Sequence, residues 1–151
     1  KTVVCVDLEG RDSFRAFRLA FETMGERYEN RRPLQNLEYR EADLSTVRSE
    51  VGSRSFLMAV HACNDANKEV VGMAKGVGAG WAVMPCCIRT NLYLNGATIM
   101  DLSSEVRYTL LSGAFAEASD AQIVRSISRE ITARPIIIIG GIYEDDGALW
   151  T

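Results

Sequence analysis

The stretch Phe56-Leu-Met-Ala-Val-His-Ala-Cys-Asn-Asp65 and its continuation Gly78-Ala-Gly-Trp-Ala-Val-Met-Pro-Cys-Cys87 decide how this chain is read. The first opens as an apolar run of strand length, Phe56 to Ala62, which stops at His61-Ala62-Cys63. Asn64-Asp65 then supplies side chains that start a helix, predicted through Ala74 and closed by the glycine-rich cap Gly76 to Gly80. Trp81 to Met84 is a second apolar run, halted by Pro85. Strand, helix, strand is the repeating unit of a parallel sheet, because a parallel neighbour needs a crossover.

The same alternation extends outward. Thr2-Val-Val-Cys-Val-Asp7 reads as a buried parallel strand ending in an acid. Asp12-Ser13 caps a helix whose apolar positions Phe14, Phe17, Leu19, Ala20, Phe21 and Met24 recur at helical spacing, and Gly25 closes it. Residues 26–36 read as a loop, Leu37 to Ala42 as a strand ending at Asp43, and 44–52 as a brief helical turn. Residues 88–102 are irregular. Ser103-Ser104-Glu105 starts a longer helix with Val106, Leu110, Leu111 and Ala114 on one side. Ile123 to Ile131 alternates with strand period, Ala133-Arg134-Pro135 breaks the run, and Ile136 to Ile139 is a continuous apolar strand buried on both sides. The expected architecture is α/β, a Rossmann-like, mostly parallel sheet with a C-terminal antiparallel hairpin, in a single domain over 1–151.

Composition bounds the partners. The chain has 151 residues, 47% apolar and 25% charged, with a formal net charge of −3, so nothing global attracts a polyanion. Arg31-Arg32 and Arg125, Arg129 and Arg134 read as solvated faces rather than a nucleic-acid patch. No run of apolar residues is long enough to span a membrane. Cys5, Cys63, Cys86 and Cys87 follow no secreted disulfide pattern, which points to an intracellular compartment, cytoplasmic or organellar (mitochondrion or plastid).

Candidate chemistry gathers at the C-terminal ends of the strands. Asp7 suits two hydrogen bonds from a ribose diol, with Glu9 as a nearby substitute, or else it caps the following helix. Asp43 suits an adenine amino group, with the Leu44 N–H donating to the ring, or else it is a turn acid. His61, Cys63, Cys86 and Cys87 are ligand types that suit tetrahedral zinc, but His-x-Cys and Cys-Cys lack the gaps of structural zinc sites, so spacing assigns no metal. A nucleophilic cysteine with His61 as base lacks a visible group to orient the histidine. The thiols are read as small buried side chains lining a strand end. Gly76-Val-Gly78-Ala-Gly80 follows a helix and precedes a strand, the reverse of a phosphate loop; Gly140-Gly141 leads into Glu144-Asp145-Asp146, which would repel phosphate.

Taken together, His61-Ala62-Cys63-Asn64-Asp65-Ala66 and Gly78 to Cys87 resemble class I S-adenosylmethionine-dependent methyltransferase-like domains with a His-Ala-Cys…Pro-Cys-Cys signature, some of which belong to RNA-modifying enzymes. Arg107-Tyr108 through Ile131-Thr132 resembles the closing helix and hairpin of that group, and the likeness covers most of 1–142. The resemblance implies a seven-stranded sheet, its last strand antiparallel, that binds S-adenosylmethionine. Asp7 would hold the ribose, Asp43 with Leu44 the adenine, and His61 and Ala62 would lie beside the methionine moiety. Pro85, Cys86 and Cys87 would line the substrate side, and His61, the single histidine, is the candidate catalytic base. The family's first strand and glycine-rich loop should precede Lys1 and have no counterpart here. That strand is central, between 2–7 and 56–62, so an upstream segment or a partner chain is expected to complete the sheet. Two functions follow: methyl transfer to an acceptor, RNA among the candidates, or a catalytically inactive methyltransferase-fold subunit with an assembly role in a larger complex.

Overall fold

A computed structural model describes residues 2–27, 36–63, 65–89, 99 and 101–142. The chain is α/β, and it divides into two compact units, Lys1–Glu50 and Val51–Thr151. Among the described residues no helix is long and apolar enough to cross a membrane.

The first unit is strand, helix, strand and a 3-10 helix: β1 (Val3–Asp7), α1 (Asp12–Arg27), β2 (Leu37–Glu41) and Leu44–Glu50. β1 and β2 are parallel, with Val3 opposite Leu37 and Asp7 opposite Glu41, so both acids stand at the same end. The Phe14 ring packs on Tyr39 at 4.5 Å, and Tyr39 Oη donates to the Glu9 carbonyl at 2.6 Å, tying α1 and the turn after β1 to β2. Two expectations are corrected. α1 runs past Gly25 to Arg27, because one glycine costs a helix only about 1 kcal/mol and does not end it. β1 is not buried: its side chains Val3 and Val4 are exposed, since β2 is its one strand neighbour among the described residues.

The second unit holds β3 (Phe56–Val60), α2 (Asp65–Val77), β4 (Gly80–Met84), α3 (Ser104–Ala118), β5 (Ile123–Ser126) and β6 (Ile136–Gly140). They form a sheet of order β3-β4-β6-β5, parallel between β3 and β4 and antiparallel on both sides of β6. The expected C-terminal hairpin is present. Register places Leu57, Trp81 and Gly140 in one row, and Ala59, Val83 and Ile138 in the next. Trp81, Val83 and Ile138 are buried, with Val70, Val71, Met73 and Ala74 of α2 and Leu111 and Phe115 of α3 completing the core. α3 begins as the sequence indicates, with Ser103 Oγ accepting from the Val106 N–H at 3.3 Å.

Here too the sequence reading needs adjustment. β3 ends at Val60 instead of Ala62, because His61 takes a left-handed conformation (φ 54°) that a strand cannot hold. α2 continues through Gly76 to Val77 and turns at Gly78 (φ 68°). The alternation of Ile123 to Ile131 yields a strand only to Ser126. Ile127 N–H still donates to the Pro135 carbonyl at 3.0 Å, but proline has no N–H to return, and Ile131 turns back on Ser128 and is 74% exposed. In β6, Ile138 is buried while Ile137 and Ile139 are only half-buried. The opposite face of β3 stays open, with Phe56 54%, Met58 68% and Val60 59% exposed. Within residues 88–102, positions 90–98 and 100 lie outside the described residues.

Gly140 is required by a neighbour: an added Cβ would lie 2.4 Å from Trp81 Cζ2. Gly140→Ala is therefore expected to lower stability by about 1–3 kcal/mol, as overpacking of a filled core does. Gly72→Ala, with nothing within 4 Å of its Cβ in mid-helix, is expected to leave stability equal or raise it. Urea unfolding midpoints of the two variants measure the contrast.

Candidate functional site

In the first unit, Asp7 ends β1 as the sequence places it, whereas β2 closes at Glu41 and not at Ala42, leaving Asp43 just beyond the strand. Each carboxylate has partners within the unit. Arg11 Nε donates to Asp7 Oδ2 at 2.9 Å and Arg11 Nη2 to Oδ1 at 3.2 Å, and the Glu9 N–H reaches Oδ1 at 3.4 Å. This fork, with the Arg11 hydrogen bond the largest cause, holds the Asp7 carboxyl below its ordinary value. Asp43 Oδ1 accepts the Ser45 hydroxyl at 2.5 Å and the Ser45 N–H at 2.9 Å, which also lowers its pKa. Leu44 opens the 3-10 helix, where first-turn N–H groups have no acceptor within the helix. An open depression of about 350 Å³ lies along α1, lined by Gly10, Arg11, Phe14, Tyr39 and Glu41 among others, but no predicted cofactor residue lines it.

In the second unit, the ends of β3 and β4 are held together by ladder bonds that outlast the strands. The His61 N–H donates to the Met84 carbonyl at 2.9 Å, and Cys63 and Cys87 form an isolated parallel bridge. This gathers His61, Ala62, Cys63, Pro85, Cys86 and Cys87 at one edge. Cys86 Sγ lies 2.9 Å from Cys63 Sγ and 3.2 Å from the His61 carbonyl oxygen. Burial, then its thiol neighbours, push Cys86 up to about 12, so it carries its proton at neutral pH. The reading of these cysteines as buried is corrected: Cys63 and Cys87 are exposed and Cys86 is half-buried, because they follow the last ladder residues into a bend.

The His61 ring does not join the thiols. Its Nε2 lies 3.2 Å from the Thr132 hydroxyl, which also accepts the Arg134 N–H at 3.2 Å. A Cys–His nucleophile pair is thus not assembled among the described contacts; it is the histidine's carbonyl that faces Cys86. Three residues near the predicted positions escaped the sequence reading. Arg11 follows Asp7 at i+4, a spacing that could have announced the pair. Thr132 reaches His61 across many residues of chain, for which no local signal exists. Asn67, fully buried in the first turn of α2, donates from Nδ2 to the Ala62 carbonyl at 2.5 Å, while its Oδ1 has no partner among the described residues.

The arginines considered for nucleic acid are engaged individually. Arg129 pairs with Glu105, Arg134 lies 4.7 Å over the Tyr108 ring, and Arg125 Nη1 donates to the Val124 carbonyl at 3.1 Å. Arg31 and Arg32 lie outside the described residues. No protein-family model, curated protein or solved structure matches the chain.

The Asp7–Arg11 pair makes a directional prediction. A carboxyl with a depressed folded-state pKa contributes stability above its unfolded value, near 3.9, and loses that contribution as pH falls through the folded value. Arg11→Ala should therefore return Asp7 toward the ordinary carboxylate range, as followed by its carboxyl carbon resonance between neutral and acid pH. An unmoved midpoint would show that Arg11 does not set it.

Proposed function

We propose that this chain is a methyltransferase-like domain related to S-adenosylmethionine-dependent methyl transfer, on a Rossmann-like sheet. The observation that supports this most is the strand–helix–strand unit of residues 1–50, with Asp7 ending one parallel strand and Asp43 just past the next. Nucleotide-binding α/β sheets take ribose and base at such strand ends. Arg11 holds both oxygens of Asp7, but an exposed, solvent-screened ion pair contributes little, so ribose hydroxyls displace it at little cost. In residues 51–151, His61 with Ala62 would stand beside the methionine moiety, and Pro85, Cys86 and Cys87 on the acceptor side.

The chemistry is a displacement. S-adenosylmethionine would supply an electrophilic sulfonium methyl group to the acceptor and leave as S-adenosylhomocysteine, and the acceptor's proton would pass to a base. Alignment of donor and acceptor supplies most of the rate. His61 is the candidate base, its ring positioned by Thr132. RNA is one class of acceptor, although the net charge of −3 lends it no support. A further strand, from this polypeptide or from a partner chain, would lie along the edge of β3 that has no strand neighbour among the described residues.

The exposed row Phe56, Met58 and Val60 on that strand favours a second reading, an inactive subunit that uses its sheet to assemble with other proteins. Calorimetric titration of S-adenosylhomocysteine into the full-length encoded protein separates the two. Cofactor binding predicts measurable heat, weakened at least tenfold in Asp7→Ala, since each hydrogen bond to a charged group contributes roughly 1.5–3 kcal/mol. No heat from the folded protein would leave the assembly reading.

A further inference from the structure

Three of the four cysteines converge at the edge where β3 and β4 end. The Sγ atoms of Cys63, Cys86 and Cys87 all lie within 4.8 Å of one another, and those of Cys63 and Cys86 are 2.9 Å apart. Backbone pairing sets this arrangement. The His61–Met84 hydrogen bond and the Cys63–Cys87 bridge fix the two strand ends, and a bend at Cys86 lets sulfurs of adjacent residues meet.

The surroundings are electron-rich. His61 holds a left-handed conformation (φ 54°) that is strained for a non-glycine residue. Its carbonyl oxygen then stands 3.2 Å from Cys86 Sγ and 3.9 Å from Cys63 Sγ. The Ala62 carbonyl lies 3.9 Å from Cys86 Sγ and is held by Asn67. Among the described residues, no lysine, arginine or imidazole group is a hydrogen-bond partner of these sulfurs. The negative ends of these carbonyl dipoles favour a cation beside the sulfurs.

We propose that Cys63, Cys86 and Cys87 form a three-thiolate site for a thiophilic metal cation, with zinc(II) the fitting ion and the fourth position open to solvent. Soft sulfur ligands select such ions. Zinc–sulfur bonds of about 2.3 Å place tetrahedral sulfurs about 3.8 Å apart, between the closest separation here and the outer limit of the cluster. On binding, three S–H bonds break, three zinc–sulfur bonds form and three protons pass to water, with no change of oxidation state. The site shares Cys86 and Cys87 with the acceptor side of the methyl-transfer reading but does not rest on that reading, since its cobalt and zinc readouts need neither methyl donor nor acceptor. Sequence spacing missed it because the ligands come from two strands.

The test uses the full-length protein, reduced and stripped of metal by a chelator, with cobalt(II) and then zinc(II) as probes. One cobalt per chain is expected, with sulfur-to-cobalt charge-transfer bands and intense visible bands of tetrahedral geometry, both abolished by zinc. Cys63→Ser, Cys86→Ser and Cys87→Ser should each weaken zinc binding by more than about 100-fold against a chromophoric chelator, beyond the usual loss from an outer-shell change. Cys5→Ser, in β1, should not alter it. Circular dichroism without metal identifies any variant that fails to fold, and the wild-type cobalt spectrum stands without variants. Absence of charge-transfer bands in the folded, reduced wild type would overturn the proposal. So would unchanged affinity in folded Cys86→Ser, or a Cys63–Cys86 disulfide without zinc in protein isolated without reductant.

Discussion

The parallel pairing of β3 with β4 is the constraint on which residues 51–151 depend. Its register sets Trp81 beside Leu57 and Val83 beside Ala59, which commits those side chains to the face that is buried. β6 adds antiparallel to β4, so Ile138 meets Val83 and Gly140 leaves room for the Trp81 ring. Two strands alone would be marginal. The pair is made stable by apolar burial, at roughly 1.5–3 kcal/mol for each large side chain removed from water.

The same ladder reaches beyond the strands and shapes the chemistry. Because β3 and β4 remain joined through the His61–Met84 hydrogen bond and the Cys63–Cys87 bridge, the chain arrives at the sheet edge with its thiols already grouped. The left-handed turn at His61 gives that residue two separate roles. Its carbonyl faces the sulfurs, while its ring is taken up by the Thr132 hydroxyl in the connection between β5 and β6. A thiol raised to about 12 by burial and by its neighbours is held as an acid, not as a ready nucleophile.

Residues 1–50 follow a different balance. Their exposed ion pairs, Arg11 with Asp7 and Arg40 with Glu38 and Glu50, are surface interactions of small individual worth. What positions the two strand-end acids is the parallel register and the Phe14–Tyr39 packing, with the Tyr39 hydroxyl fixing the turn after β1. The weakness of the Asp7–Arg11 pair leaves that carboxylate open to exchange partners.

Most element types were legible in the sequence, because apolar periodicity and capping residues act locally: Asp12, Asp65 and Ser103 stand at the helix starts, and the apolar runs became strands. Ends were less legible. Gly25 and Gly76 did not stop helices, and the alternation from Ile127 to Ile131 produced no strand, since a strand needs a partner whose N–H groups and carbonyls face it. The cysteine and histidine positions were visible as strand ends, but their exposure and partners were not. By itself the sequence determined the α/β order, the helix starts and the acids at the ends of β1 and β2, all set by residues close in the chain. Only the tertiary structure decided that His61 turns its ring to Thr132, that Asn67 holds the Ala62 carbonyl and that three thiols meet, because those contacts join residues that pairing and packing alone bring together.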